Sequence, residues 1–282
     1  MRTLVLSFSI LLSALFATWA QEPLPAGKKE PESLNAAIVA ARKATAEKRF
    51  ADSEAMMSKV TAENPTLILP WVELGLAQLG LKKYPDAENS FKMALGIDPE
   101  SIQRSQTDTF YRTNDKQGAV APTATRNSRN AVGGSVNNAQ NRTPDIKGVS
   151  WASLGEIYAH EGKIKDAEAA FDSAAAAFPQ QAAQYRRNET LSFFQVGNAD
   201  AQFAAAQKAI ALDPTRAALY YFEGQALVLK ATIDPKTQKL ALAPGCAEAY
   251  QKYLELEPNG PYAEDAKGVL ASAGVPLKSG KK

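Results

Sequence analysis

The 282-residue sequence predicts an all-α fold, a solenoid of about five helix pairs closed by a C-terminal capping helix. Three observations carry that expectation. Alanine, which has the best intrinsic helix propensity, supplies 51 of the residues. Pro65, Pro99, Pro179, Pro214 and Pro258 each close a similar phrase (AENP, GIDP, AAFP, ALDP, ELEP) after an Ala-rich amphipathic run. Their spacings of 34, 80, 35 and 44 are a 34-residue unit alone or with 46, 1 or 10 residues added. A fixed period with insertions is the pattern of stacked repeats.

The N-terminus reads as an address. In residues 1–20 (MRTLVLSFSILLSALFATWA), Arg2 is a positive n-region, Leu4 to Phe16 an apolar h-region, and small residues lead to Ala20. That is a secretory signal pattern, with cleavage expected after Ala20 or Ala17. The apolar stretch is shorter than the roughly 20 residues that comfortably span a bilayer. No Cys follows it, which excludes a lipoprotein anchor. Residues 21–33, with three Pro and one Gly, read as a disordered lead-in.

The units follow. The second, from Trp71, carries Leu74, Gly75, Tyr84, Ala87, Phe91, Ala94 and Pro99. The third carries Trp151, Leu154, Gly155, Tyr158, Gly162, Ala167, Phe171, Ala174 and Pro179. Trp to Pro is 28 residues in both, and every shared landmark keeps its offset. The pattern resembles the tetratricopeptide repeat (TPR), W-x₂-L-G-x₂-Y…A-x₃-F…P, with its 34-residue period. The first unit has Phe50, Met57 and Val60, with Ala37, Ala40 and Ala41 where Trp, Leu and Gly would stand. The fourth has Phe193, Gly197 and Ala209, with Arg186, Glu189 and Thr190 at the opening landmarks. The fifth has Tyr220, Gly224, Leu227 and Tyr250, and about ten extra residues near 231–243 between its helices. Units 1 and 2 thus occupy 34–101 and units 3 to 5 occupy 148–259. The resemblance implies a right-handed α-solenoid. Residues 260–274 form an amphipathic capping helix, with Tyr262, Ala266, Val269, Leu270 and Ala273 on one side, and 275–282 is a flexible tail.

The landmarks have a physical reason. Gly75, Gly155 and Gly224 omit a side chain where paired helices approach closely, and a mid-helix glycine otherwise costs about 1 kcal/mol against alanine. Ala87, Ala94, Ala167 and Ala174 do the same from the second helix, and Phe91 or Phe171 fills the remaining space. Residues 102–147 break the period. They are rich in Asn, Thr, Ser and Gln, with seven Arg or Lys against three Asp, a charge of +4. Such a polar segment reads as a disordered insertion.

Composition narrows the chemistry. Thirty-two Lys and Arg against 30 Asp and Glu give +2, so neither nucleic acid nor anionic lipid is an obvious partner. One Cys (Cys246) and one His (His160) exclude an intrachain disulfide, a multi-Cys metal site and H-E-x-x-H. Gly155 to Gly162-Lys163 has the wrong spacing for a phosphate loop, and no G-x-G-x-x-G, G-x-S-x-G or C-x-x-C occurs. His160 closes a helix as a polar cap. No catalytic residue, metal or cofactor is expected, and the chain is read as a non-enzyme.

Solenoids bind on the concave face, which the TPR resemblance places on each unit's first helix. The implied groove positions are Val72, Leu76 and Leu79; Ala152, Glu156 and Ala159; Arg187, Leu191, Phe194 and Gln195; Tyr221, Gln225, Val228 and Leu229. The Lys, Asn and Arg set with which some family members grip a terminal carboxylate is absent apart from Arg187. The mostly apolar face suits a helix or extended peptide. The expectation is a protein-interaction scaffold, exported to a bacterial periplasm or secreted, binding an unidentified protein or peptide. One alternative is a membrane-anchored assembly subunit of an envelope or secretion complex, its N-terminal helix uncleaved. Another is a TPR-bearing hydrolase.

Overall fold

A computed structural model describes residues 32–97 and 143–277. The expected signal sequence, nearly all of the lead-in and the insertion, Pro99 and the end of the tail lie outside the described residues. The chain divides after Ser153 into two compact units.

Residues 32–97 hold two helix pairs: α1 (Glu32–Ala46) with α2 (Phe50–Glu63), and α3 (Ile68–Gly80) with α4 (Tyr84–Leu95). After the insertion come α5 (Pro144–His160) and α6 (Ile164–Ala177), then a one-turn 3-10 helix, Pro179–Gln181. There follow α7 (Ala182–Gln195) with α8 (Ala199–Leu212), α9 (Ala217–Val228) with α10 (Cys246–Leu256), and α11 (Ala263–Ser272). The described residues are therefore all-α in five helix pairs and a terminal helix. Each helix packs on the next from α1 to α4 and from α6 to α11. First helices also touch: α1 meets α3, and α7 meets α9.

Two stop signals recur. The residue before Pro65, Pro179, Pro214 and Pro258 takes nearly the same backbone: Asn64 (φ −134°, ψ 62°), Phe178 (−138°, 78°), Asp213 (−141°, 77°) and Glu257 (−143°, 70°). Proline sterically bars its predecessor from the helical region, so these helices end there. The helix α4 ends differently. Gly96 takes a left-handed φ of +73° after Leu95 and stops the helix three residues before Pro99.

The turn inside a pair also repeats. Lys48, Lys82, Gly162 and Gly197 occupy one register and all have positive φ, 59°, 59°, 73° and 73°. Each begins a Schellman turn: Lys83 N–H bonds Gln78 O at 2.9 Å, and Lys163 N–H bonds Tyr158 O at 2.8 Å. Glycine takes this conformation without the Cβ penalty of other residues. A Cβ at Gly162 would meet nothing within 4 Å, so substitution there is a purely conformational test. Gly162→Ala is expected to cost about 1 kcal/mol and Lys82→Gly to add about 0.5–1 kcal/mol. Urea midpoints check both, and a loss from Lys82→Gly would show that the lysine contributes more than its backbone costs.

The glycine contacts are close. A Cβ on Gly75 would sit 2.9 Å from the Phe91 ring, on Gly155 2.7 Å from Phe171, and on Gly224 3.1 Å from Tyr250. Phe91, Phe171 and Tyr250 are fully buried. A fourth approach lies outside the repeat landmarks: Gly80 of α3 lies against the ring of Phe50 at the start of α2. The opening aromatics add a shared bond. Trp71 Nε1–H donates to Pro65 O at 3.0 Å and Tyr220 O–H to Pro214 O at 3.1 Å, each spanning six residues.

Three boundaries depart from the expectation. The helix α5 begins at Pro144, so the end of the predicted insertion is helical, with proline in the first turn and Asp145 near its positive end. The extra residues of the fifth unit form an antiparallel ribbon pairing β1 (Thr232–Ile233) with β2 (Leu240–Ala241). Its turn is held by Asp234 Oδ1, which accepts from Lys236 N–H at 2.8 Å and Thr237 N–H at 2.9 Å. The terminal helix α11 is shorter than the expected 260–274, running from Ala263 to Ser272 with Tyr262 as its N-cap residue, and Ala263, Ala266 and Leu270 supply its buried contacts.

Candidate functional site

The predicted groove residues divide by burial. Val72, Leu76, Leu79, Leu191 and Tyr221 are buried, none more than 8% exposed. Ala152 and Ala159 are buried as well. Glu156, Arg187, Phe194, Gln225 and Val228 are half-buried and keep some surface, while Gln195 and Leu229 are exposed.

Packing partners explain several of these. The Tyr221 ring stacks on Tyr262 with centroids 4.1 Å apart and planes 9° from parallel. Its hydroxyl donates to Asp265 Oδ2 at 2.9 Å, so it joins α9 to the terminal helix. Burial, then Asp265, holds that hydroxyl above the ordinary tyrosine range. Gln225 Oε1 accepts from Gln202 Nε2 at 3.3 Å, and the same amide donates to Phe222 O at 2.7 Å. The Phe194 ring lies 5.2 Å from Phe222. Tyr221, Gln225 and Phe194 are thus joined to neighbours on α8, α9 and α11.

The charged positions are more informative. In the first pair, Arg42 stands at the register of Leu76 and Glu156. Its Nε donates to Glu73 Oε1 at 2.6 Å, and Glu73 is 2% exposed. Burial raises the Glu73 carboxyl, with Arg42 acting against it. Glu156 is half-buried with no Lys or Arg as ion-pair partner among the described residues, and burial pushes its carboxyl up to about 7. Arg187 is half-buried with its pKa lowered by burial and then by Arg216.

The Glu156 shift has a definite sign. The carboxyl binds its proton more tightly in the folded chain, near 7, than at the ordinary 4.5. Its stabilising contribution is therefore present below about pH 4.5 and lost as pH rises through about 7. Glu156→Gln should raise stability at pH 8 by about 1–2 kcal/mol, allowing for solvent screening, and leave it unchanged at pH 4. Urea unfolding at the two pH values checks this. Equal gains at both would show that the charge is not the cause.

The opening landmarks of the fourth unit carry an ion network. Arg186 Nη1 lies 2.6 Å from Asp172 Oδ1 and 2.8 Å from Glu189 Oε2, and Lys208 Nζ is within 3.4 Å of both carboxylates. Glu189 is fully buried. Burial raises its carboxyl against both cations. Burial also acts to raise Asp172, but Arg186 and Lys208 outweigh it and hold that carboxyl below its usual range.

Residues weighed for chemistry take ordinary places. His160 is exposed at the end of α5. Cys246 opens α10 fully buried, its Sγ–H donating to Gly224 O at 3.4 Å. Burial pushes that thiol up to about 11. Among the described residues, no group of three His, Cys, Asp or Glu could hold a metal ion, and no helix is long and apolar enough to cross a membrane.

No known family's profile matches the chain, and no curated protein matches it in sequence. Among solved structures it is similar to a chain in the crystal structure of the APC/C hetero-tetramer Cut9-Hcn1, at 12% identity and a TM-score of 0.34. That superposition covers 93% of this chain and 45% of the other, so this chain spans less than half the length of that neighbour. At that TM-score neither residues nor partners carry across.

Proposed function

We propose that the chain is a non-enzymatic protein-interaction scaffold of the tetratricopeptide kind, exported to a bacterial periplasm or cell envelope, which holds a peptide or protein segment against its first helices. The observation that carries this reading is the recurrence of one unit: the same pre-proline stop, the same Schellman turn and the same glycine under an aromatic ring. Within residues 154–277, stacked helix pairs of this kind present a pre-formed face, and a pre-formed face lowers the ordering cost of binding. Phe194 and Val228 keep apolar surface there, and Arg187 keeps a charge. Export rests on Arg2, the apolar run Leu4 to Phe16 and the small residues ending at Ala20.

Photo-crosslinkers at positions 194 and 228 in the producing cells, with one at position 168 on α6 as control, test the binding face. A discrete adduct from 194 and 228 and none from 168 is the expected result. Equal capture from all three would defeat the proposed face. Mass analysis of the mature chain tests export: a start at residue 18 or 21 supports it, and retention of residues 1–20 favours the membrane-anchored alternative.

A further inference from the structure

Within residues 154–277 the half-buried cations are Arg186, Arg187, Lys208, Lys252 and Lys267. Arg186, Lys208, Lys252 and Lys267 each have a carboxylate oxygen within 3.4 Å. Arg187 has none. Among the described residues, the charges that act on it are Arg216, against its own charge, and Asp213, in its favour, and Asp213 is already engaged. It accepts from Thr215 Oγ1 at 2.9 Å and pairs with Arg216 Nε at 3.4 Å. Two guanidinium groups therefore share one carboxylate, leaving a local excess of one positive charge beside a like-charged neighbour. Withdrawing a cation from water without a matching counter-charge is costly, and among the described residues only Asp213, already paired with Arg216, acts in its favour.

Arg187, Leu191 and Phe194 follow one another at helix spacing along one side of α7, and α7 packs on α9, which carries Val228. We propose that Arg187, with Arg216 beside it, receives an internal Asp or Glu side chain of the bound segment, whose flanking apolar residues lie toward Phe194 and Val228. Charge complementarity selects this occupant: the patch lacks one negative charge, and a guanidinium pairs best with a carboxylate through two parallel N–H donors. The assignment rests on the scaffold reading above and adds the chemistry of its partner.

The probe is a fluorescein-labelled peptide of about ten alternating Leu and Glu residues, acetylated and amidated, with binding to the full chain read by fluorescence anisotropy. Three further peptides serve as arms: Gln for every Glu, Lys for every Glu, and the Gln peptide with a free C-terminal carboxylate. The Glu peptide should bind, weaken with added salt, and lose at least tenfold in affinity on Arg187→Met, which keeps the apolar stem. Arg187→Lys should fall between. The Gln and Lys peptides should bind at least tenfold more weakly than the Glu peptide. No binding of the Glu peptide, equal binding of Glu and Gln peptides, or an unaffected Arg187→Met variant overturns the proposal. Gln-peptide binding restored by the free terminus assigns the site to chain ends and overturns it too. A melting measurement needs no ligand: Arg187→Met should melt no lower than the natural chain. A lower melt would show that the guanidinium serves the fold. Crosslinks at 194 and 228 without acidic-peptide binding would leave the scaffold standing and remove only this assignment.

Discussion

Phe171→Ala is expected to cost about 3–5 kcal/mol, the range for removing a large aromatic from a core, and to be the most damaging single truncation in the α5–α6 pair. The ring is fully buried and lies where a Cβ on Gly155 would be 2.7 Å away. A second change isolates the contact between ring and glycine. In the natural chain, Gly155→Ala must push the ring aside. Overpacking of this kind costs about 1–3 kcal/mol, partly offset by about 1 kcal/mol of helix propensity. With Phe171 already alanine, the new methyl meets a cavity and the propensity gain stands alone. Gly155→Ala should therefore destabilise the natural chain and stabilise the Phe171→Ala variant, a coupling of about 1–3 kcal/mol in a double-mutant cycle. Urea unfolding of the four proteins measures it. Additive effects would mean that Gly155 is kept for another reason than the ring above it.

That contact was legible in the sequence because its residue types are forced. Only glycine leaves room beneath an aromatic ring at van der Waals distance, so Gly75, Gly155 and Gly224 and their partners Phe91, Phe171 and Tyr250 appear at fixed offsets. The pre-proline stops were legible for the same reason: the proline ring bars the preceding residue from the helical region. Legibility failed where several residue types meet one requirement. Lys48 and Lys82 take the left-handed turn that Gly162 and Gly197 take, and lysine gives no sign of it in sequence. The ribbon at Thr232–Ile233 and Leu240–Ala241 is too short for any period to show. For the candidate face, register placed the residues, but their surroundings come from other helices. Tyr221 holds a groove register, but Tyr262 and Asp265 of the chain's last helical segment lie against it. Arg216, whose charge acts against that of Arg187, has no counterpart at the same step of the other units and carries no pattern of its own.

The fourth unit yields the second large effect. Arg186 and Glu189 stand where Trp151 and Leu154 stand in the third unit and Trp71 and Leu74 in the second. The sequence reads there as divergence, whereas the structure shows one support exchanged for another: an ion network tying α6, α7 and α8 through Asp172, Arg186, Glu189 and Lys208. Breaking a buried network from one side leaves a charge uncompensated, at a cost of about 3–5 kcal/mol. Glu189→Leu removes the only fully buried member and strands Arg186 and Lys208 beside the single carboxylate of Asp172. The burial penalty that raises the Glu189 carboxyl disappears with the residue and offsets part of the cost, so a loss of about 2–3 kcal/mol is expected. Arg186→Trp in the same chain restores the pair used by its neighbours and exchanges a desolvated cation for apolar area. Replacing buried ionic groups together by packed apolar ones is often neutral or stabilising. The double variant should therefore recover at least the natural stability while the single one does not, and chemical unfolding of both compares them directly. A double variant as unstable as Glu189→Leu alone would mean that α6, α7 and α8 are spaced for charges at this unit and cannot accept the aromatic packing of the others.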